Sequence, residues 1–240
     1  MSLTNWQSVD ALRSLKEAGR MACIIDEAGA DALPFTHTLL ARHLREPSSL
    51  VFLISLREPL ARILKMSRRM GHDLNLASLQ DRFSAVDCAS GPSPAGRFPS
   101  IDVLDVGAEQ RTLELLESIR AKHSERRLRI VLDGIQRLGA LGWTVGRVMR
   151  FVLTLEDVSR DLIVRVSRDG SAGEPLSKWL AHRSHYLWQV RSLSSGATKI
   201  AHGEVIFHDS NNGLEEPFLF KTTEASLVLH PKETSAPVQI

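Results

Sequence analysis

Long apolar runs are missing from this sequence: nothing in it approaches the roughly 20 consecutive residues that a membrane-spanning helix needs. No contact with a membrane is expected. The opening Met-Ser-Leu-Thr-Asn-Trp lacks the basic and apolar regions of a secretory signal, and no Asn-x-Ser/Thr acceptor site occurs. An intracellular protein is therefore expected, cytoplasmic and with the nucleus also open. Cysteine is scarce. Cys23 and Cys88, the only two, stand far apart in apolar segments and read as reduced, buried thiols rather than a disulfide or a metal pair. A strong charge of either sign is lacking too, since the net charge of +2 says little about partners, although the basic residues are mostly arginine and locally clustered.

Chemical signatures are also absent. A loop that cradles phosphates needs glycines for close backbone approach, then a lysine and a hydroxyl at the start of a helix. The corresponding stretch here, Asp26-Glu-Ala-Gly-Ala-Asp-Ala-Leu-Pro-Phe-Thr-His, has one glycine, Gly29, and no lysine. Asp26, Glu27 and Asp31 would repel phosphates, and Thr36 reads as an ordinary first-turn residue. Gly139, Gly142 and Gly146 do not form the dinucleotide fingerprint, and there is no Gly-x-Ser-x-Gly elbow. His182 with His185, and His202 with His208, lack the cysteine or carboxylate that would complete a metal set. No catalytic residue, metal or cofactor is expected.

What is present fits one α/β domain over residues 1–240, with 43% hydrophobic and 24% charged residues. Its organising stretch is Leu128 to Gly134, Leu-Arg-Ile-Val-Leu-Asp-Gly, which reads as the buried central strand of a parallel sheet. Asp133 ends that strand at the carboxyl edge, where open α/β sheets place ligands. An aspartate at this point holds Mg²⁺ in P-loop nucleotide hydrolases, so Asp133 reads as a remnant of that position or as a partner for loop amides. Asp26 and Asp133 are expected on neighbouring strand ends.

Further strands are expected at Met21–Ile25, Leu50–Leu56, Arg82–Cys88 and Asp161–Ser167, and helices at Asp10–Gly19, Phe35–Leu44, Glu58–Met70, Val106–Lys122, Thr144–Leu155 and Pro175–His182. Pro34 suits a helix start and Gly71 a helix end. Ser90 to Ser100 reads as a mobile proline-rich loop, and Arg168 to Pro175 as a flexible polar loop. The helix at Glu58–Met70 carries Arg62, Lys65, Arg68 and Arg69 outward, a solvated face or a contact for RNA or a partner. Residues 184–230 look β-rich, with strands at His185–Arg191, Gly203–His208, Pro217–Thr222 and Ser226–His230, turns at Ser195-Gly196 and Asn211-Asn-Gly, and a disordered tail over 231–240.

Two segments carry a resemblance. Ser184 to Phe207 contains Leu193, Ser195, Gly196, His202 and Gly203, and Leu50 to Leu74 reads strand, helix, then Met-Gly-His-Asp-Leu. Together they resemble the sixth subunit of the eukaryotic Elongator complex, whose members carry a strand, a Leu-x-Ser/Thr-Gly element, then His-Gly and a strand. The strand ending in Asp133 and Phe218 to Leu229 also fit, so the likeness runs over most of the chain. Leu60-Ala61-Arg62 replaces the family's Ser-His-Tyr, and Lys199-Ile-Ala-His stands where Asp-Val-His is common, which suggests a divergent lineage.

The resemblance implies a RecA-like domain without a working phosphate loop: a mostly parallel central sheet flanked by helices, with antiparallel C-terminal strands. It further implies a ring of six with the fourth and fifth Elongator subunits, two copies of each, serving the core subunits. Such a ring binds tRNA and assists wobble-uridine modification, with ATP hydrolysis at the level of the assembly. RecA-like folds point the loops after the fourth and fifth strands into the ring centre; here these are Gly134–Gly142 with Arg137, and Ser167–Glu174 with Arg168. Both arginines are the candidate tRNA contacts. The rival classes are a RecA-like DNA-repair adaptor and a self-sufficient nucleotide hydrolase.

Overall fold

The expected central strand is present as β4 (Arg127–Asp133), buried from Leu128 onward. The structure, a computed structural model, describes residues 21–27, 29–69, 72–90, 98–105, 107–159, 161–194, 196–198, 201–223 and 227–232. The other strands are β1 (Ala22–Asp26), β2 (Ser49–Ser55), β3 (Phe83–Asp87), β5 (Leu162–Ser167), β6 (Tyr186–Ser192), β7 (Gly203–Asp209), β8 (Leu214–Thr222) and β9 (Leu227–Pro231). They form a nine-stranded sheet in the order β3-β2-β4-β5-β1-β6-β7-β8-β9. Pairing is parallel from β3 through β6 and antiparallel from β6 through β9.

The helices are α1 (Leu33–Leu44), α2 (Leu60–Arg69), α3 (Leu74–Leu79), α4 (Ala108–Lys122), α5 (Gln136–Ala140), α6 (Val145–Ser159) and α7 (Gly170–Arg183). They cover both faces of the parallel part, which is why β1 and β2 are buried at every position. Alternation along each strand sorts the residues into two cores. Ala22, Ile24, Val51, Leu53 and Val131 join α1, α2 and the inner face of β6–β9, whereas Cys23, Ile25, Phe52, Ile130 and Leu132 join α4 to α7. Phe35 of α1 meets Phe220 of β8 edge to face at 5.1 Å, tying the antiparallel extension to the parallel body.

Several expected boundaries move. Residues 170–174, read as flexible loop, are the first turn and a half of α7, which buries Ala172, Gly173 and Leu176; Pro175 lies inside the helix rather than at its start. The segment after β4 carries the short helix α5, and α3 was not expected at all, although Asp73 caps it by accepting from the amides of Asn75 and Leu76. α1 opens at Leu33 with Pro34 in its first turn. Part of the proline-rich loop lies outside the described residues, but its return is fastened: Phe98 packs edge to face on Phe83 at 5.7 Å and Ser100 bridges to Asp87. Lys232, expected in a disordered tail, donates its amide to Pro217 O and pairs with Glu204. The helix expected at Asp10–Gly19, the cap at Gly71, Ser195 and the tail beyond Lys232 lie outside the described residues.

Candidate functional site

Strand register places the central charges. Asp133 of β4 stands opposite Arg165 of β5, and Arg165 opposite Ile24 of β1, two residues before Asp26. Side chains two apart share a face, so Asp26, Asp133 and Arg165 all point to the face covered by α1 and α2. Asp26 and Asp133 are not on neighbouring strand ends as expected, because β5 runs between β1 and β4. Arg165 fills the interval. Its Nη2 donates to Asp26 Oδ2 at 2.6 Å and to Asp31 Oδ1 at 2.9 Å, and its Nη1 to Asp133 Oδ1 at 3.1 Å. Arg165 is 1% exposed and both Asp26 and Asp133 are fully buried, so this is an ion network removed from water.

Burial works against the charge on Arg165, but Asp133 and Asp26 outweigh it and hold the guanidinium protonated. Burial also keeps the Asp133 carboxyl above the usual carboxylate range, opposed by Arg165. Asp133 Oδ2 has no hydrogen-bond partner, so the loop amides expected to satisfy it go elsewhere: the amides of Gly134 and Ile135 donate to Arg165 O. These residues do not fit a phosphate-bound Mg²⁺. A cationic side chain already sits between the carboxylates, and the loop after β1 offers phosphate no lysine. Among the described residues no group of three or more His, Cys, Asp or Glu is arranged to hold a metal.

Arg57, after β2, adds a second guanidinium by donating Nη1 to Asp26 Oδ2 at 2.9 Å. It can lie there because Gly134 has a φ of +82° and no side chain; a Cβ at that position would fall 2.5 Å from Arg57 Cβ. Beyond it opens a cleft of about 290 Å³ lined by Arg57, Gln136, Arg137, Asp169, Ser171 and Ala172. Arg137 is exposed there and has no ion pair among the described residues. Arg168, its expected companion, is elsewhere. Its Nη1 donates to Glu27 Oε1 at 2.9 Å and its Nε lies 3.7 Å from Glu174 Oε2, while Arg191 approaches the same Glu27 oxygen at 3.4 Å. The structure thus brings Asp133 together with Arg165, and Arg137 together with Arg57, but it separates Arg137 from Arg168.

The two residues that organise this edge, Arg165 and Arg57, were not singled out by sequence. Arg165 did leave a signal, an arginine within Leu-Ile-Val-Arg-Val-Ser, where a buried strand tolerates a charge only if it is paired.

Other candidates resolve structurally. His202 Nδ1 accepts the Thr222 amide at 3.2 Å and lies 2.7 Å from Thr222 Oγ1, and His208 faces Glu215 at 3.3 Å. Cys23 is buried and Cys88 half-buried, both as free thiols; burial pushes Cys88 up to about 12. On α2, Arg62 pairs with Glu58, while Lys65, Arg68 and Arg69 surround an open groove with Leu64 and Asn75.

No family model matches the chain, and no curated protein matches it in sequence. Solved structures do. The chain is similar to uncharacterized protein PH0321 from Pyrococcus horikoshii, solved in complex with an unknown peptide, at 16% identity and a TM-score of 0.68, covering 96% of this chain and 100% of that one. It is also similar to the KaiC-like protein PH0186 from Pyrococcus horikoshii OT3, at 12% identity and a TM-score of 0.65, covering 89% and 91%. The α/β architecture, a mostly parallel sheet flanked by helices and extended by antiparallel strands, is RecA-like in the manner of KaiC-like proteins.

Proposed function

We propose that this chain is a non-catalytic subunit of the accessory ring of an Elongator-type complex. In that reading it joins the fourth and fifth subunits in a heterohexamer, serves the core subunits, and supports tRNA binding and wobble-uridine modification. One observation carries the non-catalytic part: the Arg165 guanidinium lies between Asp133 and Asp26 at the sheet edge where nucleotide hydrolases of this plan keep Mg²⁺. A charge supplied by the chain itself leaves contacts, rather than phosphate chemistry, as the means of action. The segments Leu50–Leu74 and Ser184–Phe207 support the family, and the exposed Arg137 supports an anionic partner.

The test is native mass measurement of the assembly that copurifies with the full-length chain. A six-membered ring of three related chains, two copies of each, is the expected result. A chain that copurifies with no related subunit overturns the reading. So does ATP turnover by the isolated chain that disappears in Asp133→Asn.

A further inference from the structure

We propose that the cleft between Arg57 and Arg137 binds a phosphate group, supplied by an RNA backbone if the reading above holds. Two guanidiniums and one carboxylate line it. Among the described residues Arg137 has no ion pair, and Arg57 commits one donor, Nη1, to Asp26 out of the five N–H groups of a guanidinium. Gln136 adds a third donor whose orientation is fixed. Its Oε1 accepts the Ser167 amide at 3.1 Å, so its NH₂ is the end left for the cleft.

The walls are set by glycine. Gly139 of α5 lets the helix approach α7 so closely that a Cβ would come within 2.2 Å of Ala172 Cβ, and Gly134 seats Arg57. Ser171 and Ala172 leave the space between the arginines unfilled. Asp169 is the one carboxylate lining the cleft, and its Oδ2 accepts the Ser167 hydroxyl at 2.7 Å. Forked guanidinium donors lining an open volume suit tetrahedral phosphate oxygens.

This assignment separates the two arginines that sequence had grouped. Arg168 is occupied by Glu27 and Glu174, whereas Arg137, without an ion pair among the described residues, lines the same cleft as Arg57.

The test uses the full chain and two probes. Calorimetry with inorganic pyrophosphate at low salt is expected to give binding that weakens about tenfold in Arg137→Ala. Gln136→Glu, which keeps the acceptor for Ser167, should weaken it as well. Asp169→Asn keeps an acceptor for the Ser167 hydroxyl but loses its charge, and should tighten binding about fivefold; a misfolded variant would not produce that gain. Arg168→Ala should leave it unchanged. Absence of pyrophosphate binding, or indifference to Arg137→Ala and Asp169→Asn, overturns the cleft.

The second probe is a fluorescein-labelled single-stranded RNA, titrated across salt. Arg137→Ala is expected to reduce affinity and to flatten the salt slope by about 0.7 for one phosphate contact. If the pyrophosphate results stand while RNA binding ignores Arg137→Ala, the cleft is upheld with a free phosphate compound as its ligand, and its use by RNA is overturned.

Discussion

Arg165 Nη1 donates to Asp133 Oδ1 across 3.1 Å, joining adjacent strands at the level where the parallel sheet ends, while the second oxygen of Asp133 is buried without a partner. Asp133 therefore takes its side-chain hydrogen bond from a guanidinium that is shared with Asp26 and Asp31, with Arg57 adding a weaker charge. Replacing Arg165 with an apolar chain of similar length strands buried carboxylates, the more damaging way to break such a network. Arg165→Met should destabilise the protein by about 3–5 kcal/mol, read from urea unfolding at pH 7. A loss below 1 kcal/mol would mean that the network is incidental.

The same variant should enlarge one component of the pH response. Without Arg165 the Asp133 carboxyl is held further above its unfolded value by burial, so the folded state takes up a proton more readily than the unfolded one. The Asp133 contribution to the stability of Arg165→Met then rises as pH falls through that raised value, the reverse of a depressed carboxylate. A melting temperature tracked from pH 8 to pH 5 that declines in parallel with wild type would contradict this.

His37 governs the wild-type acid limb. It is buried between α1 and α2 with Nδ1 against Ser67 Oγ at 2.8 Å, and burial, assisted by Arg165, lowers it from 6.5 to about 4. The unfolded chain therefore binds a proton that the folded one refuses. Stability is fully present above pH 6.5 and falls by about 3 kcal/mol as pH drops toward 4. His37→Gln, which can still bond Ser67, should remove that component of the slope in unfolding measurements taken at half-unit steps.

Gly134→Ala tests the seat of Arg57. The residue must keep a φ of +82° and its new Cβ would fall 2.5 Å from Arg57 Cβ, so the expected loss is about 1–3 kcal/mol. Pyrophosphate affinity should fall with it, because Arg57 is displaced from the cleft. Normal stability together with normal binding would show that the close approach does no work.

Gly203→Ala probes the antiparallel extension. A Cβ there would meet the Phe220 ring at 2.4 Å and Arg191 O at 2.6 Å, so β6, β7 and β8 cannot all hold their register. Overpacking of this kind is expected to cost about 1–3 kcal/mol by denaturant unfolding. It gives a physical reason for glycine at the His202-Gly203 step, where His202 reaches Thr222 and Gly203 lies against Phe220.

The parallel core was legible because its strands are largely apolar, and Leu128 to Asp133 reads correctly as a buried inner strand, third of nine in the sheet order. The order of those strands was not legible. Nothing local to Asp26 or Asp133 reports that β5 comes between them, and that single fact turns an expected carboxylate pair into an arginine-filled network. α7 was misread for a different reason: Asp-Gly-Ser-Ala-Gly-Glu-Pro has poor helix propensity and is held helical by burial of Ala172, Gly173 and Leu176. Arg137 and Arg168 look equivalent as loop arginines. Only tertiary contact with Glu27 distinguishes them.

An ion that belongs to the polypeptide has no dissociation rate and no dependence on magnesium supply. Where a motor's sheet edge would be loaded and emptied once per cycle, the Arg165 position is occupied from the moment of folding. This edge is therefore a fixed strut, set once by the chain as it folds.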